Sequence, residues 1–295
     1  LKPSTLYTPE YIVNENEHSL RLAEQFLFST VLIQTTTKEG SGSGTGFFYR
    51  IQTEQGQLPV IVTNKHVISG AIKGRLQFIE NIDGKPAPGK RVEYENDEFE
   101  KLWFEHPDPD VDLVCTFFNP IQLQLESKGK KAFAVMIEDK ILPSDEDWRE
   151  LDALEDVVFV GYPSGIFDSV NLTPIFRKGI TATPPSLDYD GNKGFLIDAS
   201  VFPGSSGSPV FLYNIGSYVK NYRNVMGSRI QFLGVICSVF IRHDDGEIVN
   251  VEIPTQNSQY VKTQQMIDLG LVVKSSEVDK MVRAFGDQFL QELGV

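Results

Sequence analysis

The apolar residues of this chain fall in short runs separated by glycine, proline and acidic turns, a spacing that suits strands better than helices. Val31-Leu32-Ile33-Gln34-Thr35 is rich in β formers. Lys38 to Gly46 reads as a glycine-serine hairpin, followed by Gly46-Phe47-Phe48-Tyr49. Val60 to Ile68 reads as a buried strand running into His66. Arg75 to Ile79 and Arg91 to Tyr94 alternate on either side of a turn at Asp83-Gly84-Lys85-Pro86. The run from Asp112 to Cys115 closes this first set.

A second set opens with Val157 to Tyr162 and continues through Lys178 to Ala182, Phe195 to Asp198, Val210 to Leu212 and Phe232 to Cys237. After a long polar excursion, Leu269 to Val273 reads as the last strand. Two segments have helical spacing instead. His18 to Phe28 places Leu20, Leu22, Ala23, Phe26 and Leu27 for a short helix. Beyond a cap at Ser275 or Ser276, Val278, Met281, Val282, Phe285, Phe289 and Leu290 share one helical face. The pattern therefore predicts an all-β architecture with a C-terminal helix. It divides into an N-terminal arm and short helix (1–27), a first strand set (28–120), a connector (121–151), a second strand set (152–275) and the helix (276–295).

With 41% apolar residues the chain has material for a sizeable core. Its net charge of −13 argues against a nucleic-acid or membrane-surface partner, since both call for a basic face. The longest apolar run, Phe232 to Ile241, is too short to span a bilayer. No signal peptide is visible, although Leu1 leaves room for a processed precursor or a fragment of a larger protein. The two cysteines, Cys115 and Cys237, sit in apolar strand-like runs and read as buried free thiols of a reducing compartment, hence a cytoplasmic location; a single bridge between them and secretion after processing are the alternatives. No metal-ligand spacing and no phosphate-binding glycine loop occur, so neither metal nor cofactor is expected.

The chemistry concentrates in Pro203-Gly204-Ser205-Ser206-Gly207-Ser208-Pro209-Val210. A serine hydroxyl is a poor nucleophile until a base takes its proton and hydrogen-bond donors receive the oxyanion. Glycines on either side allow a turn that aims successive N–H groups at one point. Upstream stand a histidine after an apolar strand, in Thr63-Asn64-Lys65-His66, and a carboxylate before one, in Asp112-Leu113-Val114-Cys115. Asp110 is a second candidate. Residues two apart in a strand share a face, so a buried Asp110 would tend to bury Asp112 beside it, which favours Asp112 with Asp110 left in a solvated loop.

These three motifs, in the order His, Asp, Ser, resemble the trypsin/chymotrypsin superfamily of serine peptidases. The Ser-Gly-Ser-Pro-Val ending looks most like the bacterial glutamyl endopeptidase and heat-shock protease branches. The resemblance implies two six-stranded antiparallel β-barrels and a C-terminal α-helix, with His66 and Asp112 on the first barrel and Ser206 on the second. It implies a serine endopeptidase acting through His66, Asp112 and Ser206, with Gly204 and Ser206 lending the oxyanion-hole N–H groups. Ser200, six residues before the nucleophile, would floor the pocket for the P1 side chain. Cys237 and Ser238 would lie beside the substrate backbone, and Gly270 would keep the pocket open. A neutral floor favours an uncharged P1 residue, unless Arg242, His243, Asp244, Asp245 or Glu247 of the polar excursion enters the pocket. His18, His106 and His243 suit structural or surface roles better than catalysis.

The partner implied is a protein or peptide substrate; because Ser205 stands where trypsin has the aspartate of its zymogen switch, control falls to the N-terminal arm, an insertion loop or a regulatory protein partner. Two further readings are a catalytically silent binding module and the protease domain of a larger bacterial signalling or defence protein.

Overall fold

The computed structural model describes residues 20–54, 56–220, 223–249 and 258–293, with backbone alone for 241–249, 258–266 and 292–293. His18 and most of the N-terminal arm lie outside the described residues, as do the side chains of Arg242, His243, Asp244, Asp245 and Glu247. The predicted N-terminal helix is the short α1, Leu22–Leu27, with Gln25 and Phe26 buried.

The first layer is built from β1 (Thr30–Thr36), β2 (Ser41–Thr53), β3 (Gly56–Thr63), the short helix α2 (Lys65–Ile68), β4 (Lys73–Ile82), β5 (Lys85–Asn96), β6 (Phe104–Glu105) and β7 (Val114–Phe117). In β2, Phe47, Phe48 and Tyr49 are all buried, because each face of the sheet meets its own core. Phe47, Tyr49 and Ile51 join a cluster shared with the second layer, whereas Phe48 joins the sheet's private cluster with Val31, Ile33 and Ile61. Successive strand side chains point to opposite faces, so an unbroken apolar run is what a sheet covered on both sides requires. The glycine-serine stretch is mostly strand. The turn itself is at Thr37–Gly40, where the Thr37 N–H donates to Gly40 O at 2.8 Å, and Ser41 to Gly46 already pair with β1.

The helix α3 (Phe118–Ser127) was not expected from the pattern, since Asn119-Pro120 looks like punctuation. Proline is tolerated in the first helical turn, where its missing N–H has no partner to lose, and Phe118, Ile121 and Leu125 supply the buried stripe. Two short elements follow, β8 (Ile137–Glu138) and α4 (Asp145–Glu150). In α4 the Ser144 hydroxyl accepts from the Asp147 N–H at 3.1 Å while the Asp147 carboxylate caps Ser144 N at 2.8 Å, a reciprocal cap.

The first sheet runs β5-β4-β1-β2-β3-β7-β6, with β8 added parallel to β2. This departs from the expected six-stranded closed barrel. The chain leaves β5 through a turn at Phe99–Leu102 and reaches the two-residue β6, whose ladder is to β7, so among the described residues no ladder joins the two ends. Phe99 and Trp103 are buried there, ring centroids 5.6 Å apart.

The second layer does close. The strands β9 (Asp156–Gly161), β10 (Ile175–Thr181), β11 (Gly194–Asp198), β12 (Pro209–Asn214), the small hairpin β13 (Ser217–Lys220) and β14 (Arg223–Met226), β15 (Arg229–Val249) and β16 (Ser258–Lys274) lead into α5 (Ser275–Leu293). The barrel order is β10-β11-β16-β15-β12-β9, filled by Phe159, Phe195, Ile197, Val210 and Leu233 among others. The polar excursion is a ribbon rather than a loop: β15 and β16 stay paired from Gly234↔Lys274 out to Val249↔Ser258. Its two paired stretches, residues 241–249 and 258–266, carry no alternating apolar row, so a pattern search passes over them.

Helix α5 returns across the first layer. Val278, Met281 and Val282 enter the shared cluster, and Phe285 stacks on Phe117 at 4.2 Å and on Phe104 at 4.9 Å. That cluster also holds Val111, Leu113, Cys115, Phe211, Phe232 and Cys237. Burying these residues together, at about 25 cal/mol per Å2 of apolar surface, fixes how the two layers meet.

Candidate active site

The site lies where the layers meet. His66 follows β3, which ends at Thr63, so the histidine stands in the first turn of α2 rather than at the end of a strand. Asp112 precedes β7. Its Oδ2 lies 2.6 Å from His66 Nδ1, and its Oδ1 accepts from the His66 backbone N–H at 3.1 Å. The fully buried Asn64 donates from Nδ2 to Asp112 O at 2.7 Å, so the residue two before the histidine holds the main chain of the aspartate.

Asp110 is not at the histidine. It is exposed, and its N–H donates to Asp108 Oδ1 at 3.1 Å within the loop before β7. That loop is folded on His106, which is buried: the His106 N–H donates to Leu113 O at 3.0 Å and its Nδ1 accepts from the Asp108 N–H at 3.0 Å. His106 Nε2 lies 3.3 Å from a carboxylate oxygen of Glu277, which ties the start of α5 to the segment carrying Asp112.

Ser206 comes from the second layer, on the turn between β11 and β12. Gly204 and Gly207 take φ of +87° and +86° there. A Cβ on Gly204 would lie 2.6 Å from Tyr162 O and 2.9 Å from Ser164 N, and one on Gly207 would meet Thr45 O and Thr63 Oγ1, so both positions need glycine for space as well as for backbone. The turn is tied internally by Ser205 N–H to Phe202 O at 2.9 Å and Ser208 N–H to Ser205 O at 3.0 Å. Gly207 N–H to Ile236 O at 2.8 Å ties it to β15. The N–H groups of Gly204 and Ser206, in contrast, have no hydrogen-bond acceptor among the described residues.

His66, Gly204 and Ser206 line one cleft of about 450 Å3, together with Pro203, Val67, Ser69 and the Thr35 to Ser43 hairpin. Among the described residues, Glu39 is the one carboxylate that lines it. Ser200, Cys237, Ser238 and Gly270, also singled out in the sequence, belong to the second layer and do not line this cleft. Ser200 is exposed, and its carbonyl accepts from Arg177 Nη2 at 2.8 Å. The Arg177 guanidinium sits 5.1 Å from the centroid of the Phe202 ring. Gly270 pairs with Val239 of β15 and Ile197 of β11, and a Cβ there would press on Val201 at 2.9 Å.

Cys237 falls at a register shift in β15, between Ile236 and Ser238, and is buried, while Ser238 is exposed. Burial pushes the Cys237 thiol up to about 12, with the negative charge of Asp112 adding to the effect. Cys115 is buried outright, and burial raises its thiol well above the ordinary range. Both cysteines are free. Three structural contributors carried no signal that the pattern of the sequence isolates: Arg177, one of two adjacent cations on a strand; Thr45, one hydroxyl in a glycine-serine run; and the Pro163–Gly165 turn, whose Ser164 N–H donates to Pro203 O.

Among the described residues no group of three or more His, Cys, Asp or Glu converges as a metal site would, and no helix is long and apolar enough to cross a membrane. No curated protein sequence matches the chain. Among solved structures it is similar to the inactive form of Rv3671c from M. tuberculosis (18% identity, TM-score 0.42, covering 89% of this chain and 88% of that one). It is similar also to the HtrA-type protease AlgW with tripeptide (15%, TM-score 0.40, 85% and 58%) and to the serine endoprotease from Yersinia pestis (17%, TM-score 0.40, 88% and 64%). Residues 44–219, more than half of the chain and including His66, Asp112 and Ser206, match the trypsin-like peptidase domain family. By that match the chain belongs to the trypsin-like peptidases and is a serine endopeptidase, a hydrolase of peptide bonds.

Proposed function

We propose that the chain cleaves peptide bonds through a His66-Asp112-Ser206 triad and an acyl-enzyme intermediate. The observation that carries this reading is the doubly bonded Asp112-His66 pair, sharing a cleft with Ser206 and with two backbone N–H groups left without acceptors. Ser206 Oγ attacks the scissile carbonyl carbon while His66 Nε2 takes the hydroxyl proton. The oxygen that gains the electron pair is received by the Gly204 and Ser206 N–H groups. The C–N bond then breaks and His66 returns the proton to the leaving amine. Water repeats the sequence on the acyl-enzyme, with His66 again as base, and releases the acid and free Ser206. Asp112 holds the proton of the imidazole on Nδ1, which keeps Nε2 free to act as base, and stabilises the imidazolium.

For specificity we propose an uncharged P1 residue. Ser200 offers no carboxylate, and Arg177 at the Ser200 carbonyl would repel a basic side chain. The substrate is a protein or peptide. Control by a regulatory partner or by the β15–β16 ribbon is part of the same reading, because Ser205 is not acidic. A cytoplasmic location is the companion proposal, supported by the two free, buried cysteines.

The test is labelling by a fluorophosphonate probe together with proteolysis of a diverse peptide library. Wild-type protein should label and cleave, and Ser206→Ala should do neither while keeping its circular dichroism, since losing the nucleophile of a triad costs on the order of 10^4 to 10^6 in kcat. A Ser206→Ala variant with wild-type activity would overturn the triad. A wild-type protein that folds but neither labels nor cleaves in any condition would make it a silent module.

A further inference from the structure

We infer that Thr45 is a positioning residue for the oxyanion hole, a role that rests on the reading of Ser206 as nucleophile. Thr45 stands on β2 of the first layer, fully buried, and makes four hydrogen bonds. Its N–H donates to Ser206 O at 2.9 Å, and its hydroxyl donates to Gly204 O at 3.0 Å. Its Oγ1 accepts from the Tyr162 N–H at 3.0 Å, and its carbonyl accepts from Thr63 Oγ1 at 2.7 Å. The hydroxyl has a single proton and Tyr162 N–H can only donate, so the direction of the bond to Gly204 O is fixed.

The consequence appears when the four peptide units around Ser206 are followed in turn. A trans peptide points its C=O and N–H in opposite directions, so a bond to the oxygen also aims the hydrogen. Pro203 O is held by Ser164 N–H, which aims the Gly204 N–H the other way. Gly204 O is held by the Thr45 hydroxyl, and the Ser205 N–H at the other end of that unit by Phe202 O. Ser205 O is held by the Ser208 N–H, which frees the Ser206 N–H. Ser206 O is held by the Thr45 N–H, and the Gly207 N–H by Ile236 O. Thr45 therefore fixes the two units that bracket the Ser205-Ser206 peptide, and it does so from the layer that also carries His66 and Asp112. Gly161 leaves room for both Ser208 and Thr45: a Cβ there would meet Ser208 Oγ and lie 2.6 Å from Thr45 Oγ1 and 3.2 Å from Thr45 Cγ2.

The experiment compares Thr45→Val and Thr45→Ser with wild type, using a chromogenic peptide and a peptide aldehyde. Ser206 Oγ bonds to the aldehyde carbon as the C=O π pair moves onto oxygen, which enters the hole, and the serine proton is taken up by His66 Nε2. Valine keeps the shape and removes the hydroxyl. We expect Thr45→Val to lower kcat about 10- to 100-fold, the scale of a small misplacement of catalytic groups, with KM near the wild-type value. Affinity for the aldehyde should fall in parallel, while affinity for the matching peptide product stays unchanged. Thr45→Ser, which keeps the donor, should recover most of kcat. A folded Thr45→Val with wild-type kcat and aldehyde affinity overturns the inference, as does an equal loss in Thr45→Ser. If Thr45→Val does not fold, Thr45→Cys replaces it: its thiol is a weak donor, so kcat well below that of Thr45→Ser supports the role and equal kcat overturns it. Ser206→Ala separates the levels. Activity in that variant removes the nucleophile and the inference together, whereas an inert Ser206→Ala beside a fully active Thr45→Val removes only the role of Thr45.

Discussion

Asp112 holds His66 at two points, the ring through Nδ1 at 2.6 Å and the main chain through the backbone N–H at 3.1 Å. A carboxylate bonded to both cannot turn away without releasing both, so the ring orientation and the entry of the chain into α2 are set together. Asn64 completes the arrangement from below, through the Asp112 carbonyl.

From this pair we expect Asp112→Asn to lower kcat by roughly 10^4, the size of the loss when the histidine tautomer is wrong. Asp110→Asn should stay near wild type, because Asp110 is exposed and engages only its own loop. Steady-state kinetics of the two variants side by side check this. The reverse pattern would move the role to Asp110.

The glycines of the Ser206 turn should separate by the space around them. Gly204→Ala and Gly207→Ala put a Cβ against main-chain atoms at positive φ, and should lose both activity and more than about 1 kcal/mol of stability. Gly216 is the control, with φ +85° and nothing within 4 Å of the added carbon. There Gly216→Ala should cost about 1 kcal/mol in a thermal melt and leave kcat untouched.

Matched peptides differing only at P1 should rank Phe and Leu above Arg and Lys in kcat/KM. An apolar side chain gains roughly 1.5–3 kcal/mol on burial, whereas a cation leaving water beside Arg177 and Ser200 finds no carboxylate. A strong Arg or Lys preference would show that an acidic side chain of the ribbon reaches the pocket. A Glu preference abolished by Arg177→Ala would make Arg177 the selecting residue.

Thiol reagents should leave the enzyme active. Burial raises the Cys237 thiol to about 12 and the Cys115 thiol well above its ordinary value, so neither supplies thiolate at pH 8. The linkage has a definite sign. The unfolded chain loses these protons first, so their contribution is constant below the unfolded thiol range and stability falls as pH rises through it toward 12. Iodoacetamide at pH 8 should modify no cysteine in native protein and both in denaturant. Rapid native modification of Cys237 with loss of activity would contradict the burial.

The sequence by itself determined what short-range patterning encodes. Short apolar runs bounded by turn residues marked the strands of both layers, and the i, i+3, i+4 row from Val278 to Phe289 marked α5. The motifs around His66, Asp112 and Ser206 carried the family. Local rules fell short where one residue satisfies two of them, as with Pro120, which reads as a breaker yet fits the first turn of α3. They also fell short at the outer part of the β15–β16 ribbon, where residues 241–249 and 258–266 show no alternating apolar row. Only the tertiary structure decided whether each strand set closes, because closure depends on which edges reach each other: β10 meets both β9 and β11, while β5 and β6 have no ladder between them. It alone decided that Asp112 rather than Asp110 stands at His66, 46 positions away in the chain. And it alone brought Thr45 to Gly204 across 159 positions, a hydrogen bond whose partners lie on different layers and leave no trace in the neighbourhood of either residue along the chain.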